Sequence, residues 1–346
     1  MTFFRNKWLC ALLMPLSLLY RCVVCIRNIL YNLGWLKAHR IGTFVLCVGN
    51  LTVGGTGKTV VVGYLANKLK NKKKKVVILS RGYKRESSGT VIVADGKRLL
   101  VGSKHAGDEP YFLARRLKTI PVIVDEDRWR GSLIAYSYFK PDYILLDDGF
   151  QHRRLHRDLN IISVNAISGF YNNRLLPAGP LREPLSALKR ADFVWVTQFD
   201  ETENWSKTER LIKKHTDKPF IISCYKPDGL VQLPSGRNVS LDFVQNQKVL
   251  IFSGIANPDG FKKTVEKLNP SVVYAVNFKD HYQFTPGDYD DINQKAIELN
   301  VDMIVTTEKD FVRLPSDIRF EKPLFYLEIQ LEILRGEDAL WNEILK

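Results

Sequence analysis

Apolar and polar positions alternate along this chain in two distinct rhythms. Residues 8–31 form its most apolar stretch, interrupted by charge only at Arg21 and Arg27. From Thr43 onward, short β-branched runs alternate with stretches of helical spacing, the pattern of an α/β fold with a mainly parallel sheet and helices on both faces. The predicted strands are Thr43–Val48, Val76–Ser80, Val91–Ala94, Pro121–Val124, Tyr143–Leu146, Asn160–Val164, Phe193–Val196 and Phe220–Ser223, with helices such as Glu109–Leu117 and Arg128–Phe139 between them. Tyr225–Gln247 differs: Lys226-Pro227-Asp228-Gly229 and Pro234-Ser235-Gly236 read as turns beside short β-like pieces, a two-stranded connector. A second α/β series follows, with strands Lys248–Ser253, Val272–Val276 and Met303–Val305 and helices Ala256–Leu268 and Tyr289–Leu299. The predicted organisation is an N-terminal helical segment (1–40), a larger α/β domain (41–224), a connector or hinge (225–247) and a smaller C-terminal α/β domain (248–346), without internal repeats.

The first strand runs into Gly49-Asn50-Leu51-Thr52-Val53-Gly54-Gly55-Thr56-Gly57-Lys58-Thr59, and Val61, Val62, Tyr64 and Leu65 then open a helix. Glycines let backbone N–H groups converge on phosphate oxygens, and a helix N-terminus adds positive potential. Lys58 has the position that reaches β- and γ-phosphates, and the Thr59 hydroxyl that of a Mg²⁺ ligand. The strict spacing wants glycine where Thr52 stands, so this is a variant loop of Gly-Gly-x-Gly-Lys-Thr form, and Thr52 to Thr59 are its nucleotide-binding candidates. Strand before and helix after make it a P-loop and point to a nucleoside triphosphate.

Charge sharpens this picture. Among 346 residues, 51 Lys and Arg against 37 Asp and Glu leave a net +14, a balance that favours anionic membranes, phosphorylated substrates or nucleic acid. Part of the excess is the run Lys68 to Lys75, read as a solvated helix end whose cations complement the helix dipole. No recognised DNA or RNA module accompanies the basic residues, which disfavours a nucleic-acid partner. The five cysteines are odd in number and lie mostly in apolar surroundings, and Cys22-Val23-Val24-Cys25 has no second pair at zinc-site distance. They read as buried thiols in a reducing compartment, with no disulfide framework. In the apolar N-terminal stretch, the longest uncharged run is Trp8–Tyr20, short of the ~20 residues a spanning helix needs. Trp8, Tyr20, Tyr31 and Trp35, beside Arg5, Lys7, Arg21, Arg27, Lys37 and Arg40, suit a helix lying in a membrane interface rather than crossing it.

Three further clusters carry candidate chemistry. Tyr143-Ile144-Leu145-Leu146 ends in Asp147-Asp148, where P-loop proteins place a carboxylate that holds Mg²⁺ or its water shell. Gly149-Phe150-Gln151-His152 follows at the same C-terminal sheet edge, where open α/β folds bind ligands. Gly107-Asp108-Glu109-Pro110 opens a helix, so its acids are either caps or, functionally, a base and a group on the metal's water shell. Asp280-His281-Tyr282, in a loop of the second domain, poses the same choice between a surface histidine and one that orients a carboxylate base.

Taken together these segments resemble the tetraacyldisaccharide 4′-kinases, the lipid A kinases of Gram-negative bacteria. The likeness runs along nearly the whole chain, through the P-loop, Ser80-Arg81-Gly82-Tyr83, Gly107 to Pro110, Asp147 to His152, Leu176-Pro177-Ala178-Gly179-Pro180-Leu181-Arg182-Glu183-Pro184, Gly254-Ile255-Ala256-Asn257-Pro258, Asp280 to Tyr282 and Thr306-Thr307-Glu308-Lys309-Asp310. Val60 departs from the proline usual in that family at the helix start. The resemblance implies transfer of the ATP γ-phosphoryl to the 4′-hydroxyl of an acylated glucosamine disaccharide 1-phosphate, by a peripheral or monotopic enzyme at the cytoplasmic face of the bacterial inner membrane, with no obligate protein partner. Under it, Lys58 neutralises phosphate charge, and Thr59 with Asp147 or Asp148, and Glu109 nearby, places Mg²⁺. Asp108 takes the hydroxyl proton, His281 orients it, and Arg81, Gln151, His152 and Arg182 meet the acceptor. A membrane-associated switch ATPase or GTPase with the same Gly-Gly-x-Gly-Lys-Thr loop is the alternative.

Overall fold

A computed structural model describes residues 7–199, 203–280, 282–314 and 318–346, in two compact units. Unit one comprises Met1–Cys224 and Leu331–Lys346, and unit two Tyr225–Gln330. The chain passes between them twice, once within each of two long strands.

Unit one opens with α1 (Lys7–Leu12) and α2 (Met14–Asn32), where Pro15 at the start of α2 fits a first turn whose N–H groups need no partner. Then come β1 (Phe44–Gly49), α3 (Lys58–Asn71), β2 (Val76–Ser80), β3 (Val91–Ala94), α4 (Ser103–Ala106), α5 (Asp108–Leu117), β4 (Val122–Val124), α6 (Arg128–Phe139) and β5 (Tyr143–Asp147). β6 (Leu159–Asn165), β7 (Phe193–Thr197), α7 (Glu203–Lys213) and the start of β8 (Phe220–Leu233) follow. Its strands lie in the order β8-β7-β6-β1-β5-β2-β4-β3, all parallel except that β3 runs antiparallel to β4. Because both faces are covered, β1, β2, β5, β6 and β7 are buried almost throughout and read as continuous apolar runs. Strand order reverses around β1, so the carboxyl ends of β1, β2, β5 and β6 meet at one edge.

Unit two contains β9 (Arg237–Val239), β10 (Lys248–Ser253), α8 (Pro258–Glu266), β11 (Val272–Asn277), α9 (Pro286–Glu298), β12 (Met303–Thr307), α10 (Glu308–Phe311) and most of β13 (Leu324–Arg335). Its parallel strands lie in the order β11-β10-β12-β13. Thr285 and Asp288 close a reciprocal capping box on α9, which therefore starts at Pro286, ahead of the predicted Tyr289.

Two expectations need correction. Lys226-Pro227-Asp228-Gly229 is not a turn but part of β8, and only Pro234–Gly236 turns the chain into β9. Pro227 lies between the residues of β8 that pair with β7 (220–222) and those that pair with β9 (230–232), where its missing N–H costs neither ladder a bond. Second, Leu331–Lys346 belongs to unit one, not to a C-terminal domain ending at 346. The last helix, α11 (Glu337–Ile344), buries Leu340 and Ile344, its Glu337 accepts from the Tyr64 hydroxyl of α3, and Tyr143 of β5 donates to the Ile344 carbonyl at 2.9 Å.

Candidate active site

The loop from β1 to α3 is shaped by backbone geometry. Gly57 takes φ +79°, a left-handed conformation that side chains resist, and becomes the N-cap of α3. Side chains of neighbouring strands brace the loop from beneath: Ser163 of β6 and Thr197 of β7 both donate to the Thr56 carbonyl, and Asn50 donates to the Thr56 hydroxyl at 3.1 Å. A strap running 175–184 lies alongside. Val53 N–H donates to Pro180 at 2.8 Å, Arg182 N–H to Leu51 at 2.7 Å, and Thr52 forms a bridge with Leu181. Val53, expected among the phosphate ligands, thus has its N–H committed to the strap, and Thr52 stands paired with Leu181, while Gly54 to Gly57 form the turn and Lys58 and Thr59 open α3.

The acids expected beside the loop are there. Register sets Asp147 of β5 opposite Val48 of β1, and Asp147 is fully buried with Ser80 of β2 donating at 3.4 Å. Asp148 turns into the left-handed region (φ +56°), and Arg128 donates to its carbonyl at 3.1 Å. Its carboxylate accepts from Arg182 Nη1 at 2.9 Å on each oxygen and stands 3.7 Å from Lys58 Nζ. Burial opposes the charge on Asp148, but Lys58, Arg182 and Arg128 outweigh it and hold the carboxyl down at about 2. This carboxylate anchors two cations that a triphosphate would otherwise attract.

The remaining candidates divide. Gln151 donates to the Asn50 carbonyl at 2.9 Å and so steadies the loop entrance. His152 stands 3.7 Å from Asp127; burial and the Arg128 charge push its imidazole down to about 4, so it is neutral at pH 7. Arg81 is exposed immediately after β2. Asp108 and Glu109 open α5, and a Cβ on Gly107 before them would meet the Tyr83 carbonyl at 3.0 Å. That close approach seats the start of α5 on the turn after β2, which brings Asp108 to the same sheet edge. His281 lies outside the described residues.

The profile of the tetraacyldisaccharide-1-P 4′-kinase family matches residues 9–346. This chain belongs to that family. It is 41% identical over 325 residues to the tetraacyldisaccharide 4′-kinase of Aquifex aeolicus, covering 94% of this chain and 95% of that protein. It is 37% identical over 344 residues to the one from Chlorobaculum parvum, covering 96% and 94%. A solved structure of the Aquifex aeolicus family member in complex with ATP superposes with a TM-score of 0.78 at 36% identity, covering 97% of this chain and 98% of that one.

Several site residues carried no sequence signal. Arg128 is 5% exposed at the first turn of α6, among Asp147, Asp148 and Arg81, and burial lowers its pKa. An arginine at a helix start looks like any surface cation, so only the packing identifies it. Ser163 and Thr197 likewise read as ordinary strand residues. In unit two, the family motifs at Gly254 and Asp310 converge: Gly254 N–H and Thr307 hydroxyl both donate to the buried Asp310 carboxylate, and Arg313 pairs with it at 3.0 Å.

Proposed function

We propose that this chain transfers the γ-phosphoryl of ATP to the 4′-hydroxyl of a tetraacyl glucosamine disaccharide 1-phosphate, the step that makes the 4′-phosphate in lipid A biosynthesis. The observation that carries this reading is a Gly-rich turn with Lys58 set beside the Asp147-Asp148 strand end, in a chain of the tetraacyldisaccharide 4′-kinase family. Phosphoryl transfer needs positioning and charge neutralisation more than covalent work by the protein. The turn Gly54–Gly57 and the first residues of α3, Lys58 and Thr59, hold the phosphates, and Lys58 and Arg182 exchange the Asp148 carboxylate for phosphate oxygens as they enter. The Thr59 hydroxyl and the Asp147 and Asp148 carboxylates are all hard oxygen donors, a set that suits Mg²⁺. Asp147 fits the direct contact, because Asp148 is already shared by Lys58 and Arg182, and Glu109 belongs to the ion's water shell. The ion, when bound, neutralises charge building on the phosphates.

Asp108 accepts the 4′-hydroxyl proton, and His281 orients it. Arg81 meets the anionic acceptor, and His152, neutral at pH 7, offers a hydrogen bond rather than a charge. Trp8, Leu12, Leu16, Leu19, Val23, Ile26 and Leu33 are exposed, and from Leu12 on they recur at helical spacing along one side. That apolar side suits the membrane interface where the lipid acceptor resides, and the net positive charge suits its anionic surface. α2 is 19 residues long with mean hydropathy 1.2, long and apolar enough to cross a bilayer. Its opposite side bonds to Leu175, Arg182 and Glu183 within unit one, which favours lying in the interface. Dependence on ATP favours the cytoplasmic face of the membrane for the site. The test is incubation with γ-labelled ATP and the acylated disaccharide phosphate. Label in lipid is expected, whereas label only in inorganic phosphate would favour a switch ATPase.

A further inference from the structure

The two sides of α2 do different things. Its outward side is apolar and exposed, whereas its inward side makes directed bonds to one short segment of chain. Ser17 donates to the Leu175 carbonyl at 2.9 Å, Tyr20 to the Arg182 carbonyl at 2.9 Å and Asn28 to a Glu183 carboxylate oxygen at 2.8 Å. Arg27 lies 3.8 Å from that oxygen, and Arg190 donates to it at 2.6 Å. Glu183 is fully buried, and these three side chains gather on one of its carboxylate oxygens. The segment they grip is the strap that borders the P-loop, and it carries Arg182, whose guanidinium reaches Asp148 beside Lys58. One residue therefore has its backbone held by the helix and the P-loop entrance, and its side chain held at the phosphate site.

Apolar contact alone would hold α2 against the fold without selecting a register, because burial is non-directional. A hydroxyl bonded to the Arg182 carbonyl and an amide bonded to the next side chain do select one. We propose that the inward side of α2, through Tyr20 and Asn28, is a positioning element of the phosphate site: it holds the strap so that Arg182 stands where Asp148 and an incoming phosphate share it. This rests on the reading of Arg182 as a phosphate-side group. The helix that faces the lipid and the arginine that faces the nucleotide then form one mechanical piece, and a shift of α2 against the strap displaces Arg182. Displacements of about 1 Å at a reacting centre can cost ~10²-fold in rate.

The test uses the full chain in detergent micelles with γ-labelled ATP and the acylated disaccharide phosphate, and sedimentation with phosphatidylglycerol vesicles in parallel. Tyr20→Phe, which removes one hydroxyl and keeps the ring, and Asn28→Ala are each expected to lower kcat by about tenfold or more, with KM for ATP moving less than about threefold. Vesicle sedimentation should stay at the wild-type level. Combined with Arg182→Ala, either variant should add almost no further loss, because both act through that side chain. An untouched kcat, losses that multiply with Arg182→Ala, or kcat and sedimentation falling together would each overturn the proposal. If Asn28→Ala fails to fold, Tyr20→Phe decides alone. A wild-type chain that labels no lipid would instead remove the functional reading, a result distinct from all of these.

Discussion

Asp148→Asn is the most informative single change at the phosphate site, since it keeps shape and removes one charge from among Lys58, Arg182 and Arg128. A carboxyl held at about 2 rather than 3.8 stabilises the folded chain, once ionised, by about 2.4 kcal/mol. Its side chain is 27% exposed, so solvent screening makes about 2 kcal/mol the better expectation. The folded pKa is depressed, so this stability is present in full above the unfolded value near 3.8 and is lost as pH falls through about 2. Urea unfolding of both proteins should therefore differ by about 2 kcal/mol at pH 7, and by roughly half that near pH 3. The same change should tighten nucleotide binding. Lys58 stands 3.7 Å from the carboxylate, an attraction of about 4.5 kcal/mol at an effective dielectric of 20 before desolvation is counted. If about 1 kcal/mol of it survives as competition with phosphate, Mg²⁺-free ATP should bind the variant about fivefold more tightly while kcat falls. Equal destabilisation at pH 7 and pH 3, or weaker binding of Mg²⁺-free ATP, would refute the assignment of Asp148 as the phosphate's competitor.

Lys58→Ala should remove kinase activity by orders of magnitude, and a rate within about threefold of wild type, under ~1 kcal/mol of barrier, would sink the P-loop assignment. For Asp108 and His281, Asp108→Ala should cost more in kcat than His281→Ala and the double variant much less than the two combined, with ATP affinity retained. Simple additivity in that cycle would return Asp108 to a helix cap. Leu340→Ala in α11 should destabilise unit one by about 2–5 kcal/mol, read as a lower urea midpoint; a change below ~1 kcal/mol would mean that α11 does not seal the fold.

Strand periodicity was legible because it depends on neighbours in sequence: β1, β2, β5, β6, β7 and β10 lie within a residue or so of their predicted runs. The P-loop was legible for the same reason, since strand, glycines, Lys58 and the helix start are contiguous. β13 and α11 escaped the reading. β13 alternates weakly between buried and exposed positions, and α11 is eight residues long with only Leu340 and Ile344 fully buried. Its membership of unit one depends on Tyr64 and Tyr143, which lie some 200 residues or more away along the chain.

The sequence by itself determined the fold class, the nucleotide loop and the family, because each is written in local spacing and in motifs whose order survives without coordinates. It could also place Asp147 and Asp148 at a strand end, since a strand's last residues are known once its run is known. Only the tertiary structure decided what those residues do to one another. Parallel register put Asp147 opposite Val48, the strap carried Arg182 onto Asp148, Arg128 arrived buried from α6, and Ser163 and Thr197 closed under Thr56. Similarly, residues 8–31 announced an apolar helix, but only its docking separated an outward, exposed apolar side from an inward side bonded to the strap. The physical reason is the same in each case: charge pairing and hydrogen bonding act over a few ångströms of space, and sequence separation says little about which groups come that close.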